Sequence, residues 1–235
     1  MVPIPLHDHI RRQSPPVFTF ALIIANVLAF LVELSLGPQV EEVVFYLGII
    51  PARYTIPQIT FQHTPTGLAL PLFASMFLHG GWLHLLGNML FLFVFGRSIE
   101  DRYGHLKFLL LYILGGLAGT LVHIVLNAGS RVPTIGASGA IAGILGSYFI
   151  SYPSARITTL VPVLFLFWTI EVPAVILLGY WFLIQFFTGF QMQAIETATQ
   201  GGVAWWAHVG GFVAGFILAL IMRPKRRRVL EVERL

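Results

Sequence analysis

The stretch PTIGASGAIAGILGSYF, Pro133–Phe149, decides how this chain is read. Its centre, Gly136-Ala137-Ser138-Gly139, puts one hydroxyl among small residues at the head of an apolar run. Taken alone, Ser138 is either a small residue that lets two helices touch or a nucleophile. The surrounding chain separates the two readings.

Of the 235 residues, 57% are hydrophobic and 10% are charged, and the mean hydropathy is +0.82. A soluble domain is about 45–50% apolar and about 25% charged, so this composition is that of a polytopic membrane protein forming one compact bundle. The chain has no cysteine, which excludes disulfides, zinc–thiolate sites and cysteine nucleophiles. The opening MVPIPLHDHIRRQSPP carries two arginines and then prolines. No small-residue cleavage site follows it, so the next apolar run reads as a retained first helix.

A membrane-spanning helix needs roughly 20 apolar residues. Six segments qualify, at 17–36, 81–97, 107–127, 135–151, 171–190 and 204–222; the fourth is short and glycine-rich. Between the first two lies 37–80, broken by Pro51, Pro57, Pro65 and Pro71. It reads as a long first outer loop, partly membrane-associated through short interfacial helices. The segment 155–170 is apolar but interrupted by Pro162, and is expected at the membrane interface rather than as a seventh span. The expected fold is thus an all-α membrane protein, a bundle of six transmembrane helices. Its parts are an N-terminal segment (1–16), the bundle (17–222) and a basic tail (223–235).

Six spans put both termini on one side of the membrane. That side takes 12 of the 14 lysines and arginines, leaving only Arg53 and Arg131 opposite, so both termini are expected in the cytoplasm. The tail RPKRRRVLEVERL is explained as a topology anchor. The net charge of +4 is concentrated in this way and implies no nucleic-acid partner; the expected surroundings are the lipid bilayer.

In this topology the second, fourth and sixth helices run inward from the outer face. Ser138 and His208 then lie at matching depth, roughly 8–9 Å below the outer boundary at 1.5 Å per residue. His84 and Asn88, four residues apart, share one face of the second helix. Polar groups inside spans face the bundle interior and mark function. A serine hydroxyl needs a base to become nucleophilic, and His208 can be that base. The negative oxygen of acyl transfer needs donors already in place, and His84, Asn88 and the amino end of the fourth helix offer them. Glu100 and Asp101 fall a membrane thickness away, so the constellation is a Ser-His dyad without a carboxylate. Gly139 and Gly143, and Gly211 and Gly215, form GxxxG pairs that let two helices approach closely; Gly136 belongs to the same small-residue set.

With these motifs in order, the sequence resembles the rhomboid intramembrane serine proteases. The matching stretches are GASG around Ser138, HVGGFVAG from His208, HLLGN from His84 to Asn88, and FGRSIEDRYG after the second span. The resemblance covers about 17–222. It implies Ser138 as nucleophile and His208 as base, with His84, Asn88 and the Ser138 backbone N–H as oxyanion donors. It also implies a cavity role for His79, and a lateral substrate gate on the fifth helix involving Trp181, Phe182 and Phe186, which by composition alone read as lipid-facing bulk. No metal or organic cofactor is required, and the implied partners are transmembrane protein substrates. Two features depart from the family. The first outer loop has no tryptophan, with Arg53 standing where an arginine is usual, and Ala142 occupies the place of a tyrosine that often stacks on the base. That leaves His208 to be positioned by backbone packing.

His123 reads as structural, Glu33 as facing bundle or loop groups, and Glu171 as interfacial on the cytoplasmic side. Trp82, Trp205 and Trp206 suit an aromatic belt at the outer boundary. The rival readings are a catalytically inactive rhomboid-like binding protein and a small transporter; the missing inverted repeat counts against the latter. The expected location is a prokaryotic inner membrane, with the site opening to the outer face.

Overall fold

The computed structural model describes residues 3–163, 166–195, 204–222 and 224. Residues 1–2, 164–165, 196–203 and the basic tail, Pro224 aside, lie outside the described residues. The chain is mostly helical. In order it forms β1 (Ile4–Asp8), α1 (Val17–Ser35), α2 (Val40–Leu47), α3 (Ala52–Thr55), α4 (Pro57–Thr60), α5 (Pro65–Ala74), α6 (Trp82–Phe91), α7 (Arg97–Tyr103), α8 (His105–Leu126), α9 (Ser138–Ser151), β2 (Arg156–Val163), β3 (Leu166–Pro173), α10 (Ala174–Ile195) and α11 (Trp205–Ile221). A π-helical turn, Leu92–Gly96, joins α6 to α7.

Among the described residues, four helical runs are long and apolar enough to cross a membrane: Val17–Ser35, Trp82–Tyr103, His105–Leu126 and Ala174–Met192. The helices α9, with 14 residues, and α11, with 17, are shorter. At 1.5 Å per residue α9 is about 21 Å long, less than a hydrocarbon core of about 30 Å. It begins at Ser138, not at 135 as hydropathy suggests. The residues before it are not helical, and Thr134 pairs with Ile49 of the first loop instead. That loop folds into the four short helices α2–α5, as its prolines indicate.

The segment 155–170 departs from an all-α fold. It forms β2 and the start of β3, antiparallel with Arg156 opposite Pro173 and Val163 opposite Leu166. β1 adds to β2 with Ile4 opposite Leu160 and Asp8 opposite Ile157, giving a three-stranded sheet in the order β1-β2-β3. The β-branched run Ile157, Thr158, Thr159, Val161 and Val163 favours an extended chain. Pro162 lies beyond the part of β2 that β1 covers, so on that side its missing N–H costs no ladder bond.

At the same end, carboxylates tie the amino-terminal segment down. Glu100 accepts from the backbone N–H of Phe18 (2.8 Å) and Thr19 (2.7 Å), satisfying two otherwise free donors of α1. Asp101 accepts from the N–H groups of Gln13 and Ser14 and from the Ser14 hydroxyl. Asp8 accepts from Arg12, Ser98 and Tyr148. Glu171, on β3, pairs with Arg156 at 3.2 Å.

The core is the contact of α9 with α8 and α11. A Cβ on Gly215 would stand 1.8 Å from the Gly143 carbonyl oxygen, one on Gly211 2.1 Å from that of Gly139, and one on Gly119 2.4 Å from that of Ala207. These helices meet backbone to backbone. The hydroxyl of Ser147 donates to the carbonyls of both Gly143 (2.9 Å) and Gly215 (3.0 Å), bridging the contact.

The GxxxG pairs are not equivalent. A Cβ on Gly139 would meet nothing closer than 3.6 Å. Gly215→Ala is therefore expected to lower the thermal midpoint in detergent micelles sharply, and Gly139→Ala to leave it near the wild-type value. Glu100→Ala is expected to cost about 2–3 kcal/mol through the loss of charged hydrogen bonds to buried donors, measured by equilibrium unfolding in mixed micelles.

Candidate active site

The N-terminus of α9 places Ser138 at the first helical position. No side chain caps this end, so the first N–H groups, including that of Ser138, have no intrahelical acceptor. Gly136, two residues earlier, has φ +128°, and a Cβ there would stand 2.7 Å from His84 Nε2. Only glycine fits that backbone turn and that approach.

His208 lies one turn into α11 and is buried. Its Nε2 is 2.8 Å from Ser138 Oγ. The structure thus brings together two groups 70 positions apart. The depth argument from the sequence counted helix from Pro133 and Gly202; the helices instead begin at Ser138 and Trp205, and the two groups meet because both stand near the amino ends of helices in backbone contact.

His84 and Asn88 project from α6 into the same cavity. The cavity has a volume of about 710 Å³ and is walled by α6 (His84, Asn88, Phe91), by α9 (Ser138), and by Trp181 and His208. The Nδ2 of Asn88 is buried without a hydrogen-bond partner, a free donor on the wall of the cavity that Ser138 also lines. The N–H of Gly80 donates to His84 Nδ1 at 3.4 Å. This leaves the ring proton of neutral His84 on Nε2, the atom that faces Gly136. A second, water-sized hollow of about 20 Å³ adjoins Ser138, lined by Ser75, Thr120, His123 and Thr134 among others.

His79 does not line the larger cavity. Its ring packs edge-on against His84 at 5.1 Å, and its backbone N–H donates to both carboxylate oxygens of Glu33 at 3.2 Å. His79 supports His84 from behind, and Glu33 holds α1 to that turn. His123 meets a partner the sequence did not show: its Nε2 is hydrogen-bonded to Thr134 Oγ1 at 2.9 Å, tying α8 to the loop that leads into Ser138. Arg53 is buried, its guanidinium 4.5 Å from the Phe45 ring centroid, within the first loop.

A family model, the Rhomboid domain, matches residues 67–225. The chain belongs to the rhomboid family. Over 159 residues (66% of the chain, 45% of the relative) this rhomboid is 32% identical to RHOMBOID-like protein 5 of Arabidopsis thaliana. It is 30% identical over 209 residues (88% and 35%) to Rhomboid protease GluP of Bacillus subtilis. With Rhomboid-related protein 2 of Mus musculus it shares 26% over 155 residues (64% and 49%). The chain spans less than half the length of these curated relatives. Family and apolar helices together make it an integral membrane protein.

Trp181 and Phe182 of this rhomboid are not lipid-facing bulk. Trp181 lies against the His208 ring, centroids 5.8 Å apart, and Phe182 against Phe212 at 4.8 Å. Phe186 is more exposed and meets Trp206 edge-on at 5.9 Å. Sequence reasoning passed over Gln185, which is buried beside His208, its Oε1 2.7 Å from Nδ1. Its signal was slight: one amide in the run WFLIQFF.

Gly136→Ala is expected to push His84 out of the cavity. A histidine-ring NMR spectrum should show the His84 resonance displaced, with that of His123 unmoved.

Proposed function

We propose that this rhomboid is an intramembrane serine endopeptidase, hydrolysing a peptide bond in or beside a transmembrane segment of another membrane protein. The observation that carries the reading is the 2.8 Å approach of Ser138 Oγ to His208 Nε2 at the wall of a cavity that also holds the unpartnered Asn88 amide.

Ser138 Oγ attacks the scissile carbonyl carbon as His208 Nε2 takes the hydroxyl proton. The carbonyl oxygen becomes an oxyanion, which the Asn88 amide, the His84 Nε2–H and the Ser138 backbone N–H are set to receive. The C–N bond breaks as His208 returns the proton to the leaving amine, and an ester remains on Ser138. Water then attacks the ester carbon, giving its proton to His208. The C–O bond to Ser138 breaks and the proton passes to Oγ. The small hollow behind Ser138 has room for one such water. Helical carbonyls are already hydrogen-bonded, so the substrate must unwind at the cut, and small or helix-breaking residues are expected there. The chemistry calls on no metal or organic cofactor.

In this reading the domain spans 17–222 and crosses the bilayer six times. The segments 1–16 and 223–235 are cytoplasmic, as the 12-to-2 partition of lysine and arginine favours, and the site opens toward the outer face. Trp181, Phe182 and Phe186 lie on the substrate's path. A prokaryotic inner membrane draws no support from the relatives, which come largely from eukaryotes such as Arabidopsis, zebrafish and mouse.

A fluorophosphonate probe tests the reading on purified protein. Wild type should be labelled at Ser138, and Ser138→Ala and His208→Ala should not. Asn88→Ala should label about 10²–10³-fold more slowly, the cost of one oxyanion donor. An unlabelled wild type, or equal labelling of Ser138→Ala, overturns the assignment and leaves the inactive rhomboid-like protein.

A further inference from the structure

The reading of His208 as a base leaves open what holds its ring. A neutral imidazole carries one proton, and Nε2 can accept from Ser138 only if that proton sits on Nδ1. A buried Nδ1–H needs an acceptor, and Ala142, one turn beyond Ser138 on α9, presents only a methyl group. Backbone packing of α9 on α11 fixes where the His208 Cα stands, but not the rotation of the ring.

The acceptor comes from α10. Gln185 is 5% exposed, and its Oε1 lies 2.7 Å from His208 Nδ1. A carbonyl oxygen only accepts, so this contact sets the Nδ1–H tautomer and frees the Nε2 lone pair for Ser138. One turn before it, Trp181 covers the ring face, with centroids 5.8 Å apart and planes at 36°. Positions four apart share a helix face, so one face of α10 grips the imidazole at its edge and on its plane. Among the described residues of α10, Gln185 is the one buried polar side chain. The rest of the helix is attached by apolar contacts such as Phe182–Phe212, and turns Ile176, Leu183, Phe187 and Phe190 outward.

We infer that Gln185 is a positioning residue: it holds His208 in the tautomer that can deprotonate Ser138, and it makes that tautomer depend on α10 being docked against α11. The inference rests on the protease reading above. A neutral acceptor suits the location. It orients the ring as a carboxylate would, without burying a charge at membrane depth. Because the cavity lies between α6 and Trp181 of α10, a substrate strand that displaces α10 to enter also releases the base. The site becomes reactive only when α10 closes again.

Two measurements test this. The first is nitrogen NMR of histidine-labelled Ser138→Ala protein, which needs no activity, with the His208 signal assigned by its loss in a Ser138→Ala, His208→Ala variant. The expected spectrum shows His208 protonated at Nδ1, with this signature lost on adding Gln185→Leu. The second is the fluorophosphonate labelling rate. Gln185→Leu should slow it about ten- to hundredfold, and Gln185→Glu, which keeps an acceptor oxygen at the same reach, should recover most of that loss. A His208 protonated at Nε2 while Gln185 is present overturns the inference, whether or not Gln185→Leu folds. So does a Gln185→Leu protein labelled at the wild-type rate. An unlabelled wild type with the Nδ1–H signature intact refutes the protease reading and leaves the Gln185 contact standing.

Discussion

The contact of α9 with α11, backbone against backbone, is the constraint on which the rest of the structure depends. With any side chain at Gly211 or Gly215, the carbonyls of Gly139 and Gly143 would be struck at about 2 Å. In a bilayer, helix association has no hydrophobic driving force and rests on close packing and hydrogen bonds between helices. Here glycine supplies the first and the shared hydroxyl of Ser147 the second. The 2.8 Å approach of Ser138 to His208 is a consequence.

The acidic groups are distributed by the cost of burying charge. Asp8, Glu100 and Asp101 are spent at the sheet end, accepting from backbone donors and from Arg12, and they fasten the amino-terminal segment to α7. Glu33 holds the His79 turn. None reaches the cavity. Its polar side chains are those of Ser138, Thr134, His84, His208, Asn88 and Trp181, all of which can be neutral. An ion pair there would have to repay a desolvation cost of several kcal/mol per ion. Hydrogen bonds between neutral groups avoid that cost and still fix geometry.

The helix α10 stands apart from this arrangement. While α8, α9 and α11 interlock through glycines, α10 docks through side chains: Leu177 and Leu178 buried in the core, Phe182 against Phe212, and one amide, Gln185, on His208. Ring contacts of this kind are worth about 0.5–1.5 kcal/mol each beyond burial, so they are individually weak and re-form easily. The bundle thus combines two kinds of contact, a backbone-to-backbone glycine seam and a neighbouring helix docked by its side chains.

Much of this was legible in the residues. Hydropathy located every long helix, because burial in lipid demands a local run of apolar residues. The spacing of His84 and Asn88 declared a shared face, because helical periodicity is local too. The GxxxG pairs announced a close contact. Other features escaped. The 155–170 segment is a strand pair whose β-branched residues hinted at it, but its third strand comes from Ile4–Asp8, 150 positions away. The start of α9 moved to Ser138 because Thr134 bonds to Ile49 rather than continuing a helix. His123 and Gln185 gave only a slight signal of their roles, since each is one polar residue in an apolar run. The sequence by itself therefore determined the class of protein, its helices and the residue types able to do chemistry. Tertiary structure alone decided which glycines touch, which histidine faces the serine and which amide holds that histidine, because each of these contacts is fixed by a distance between atoms far apart in the chain, 70 positions for Ser138 and His208 and 23 for Gln185 and His208.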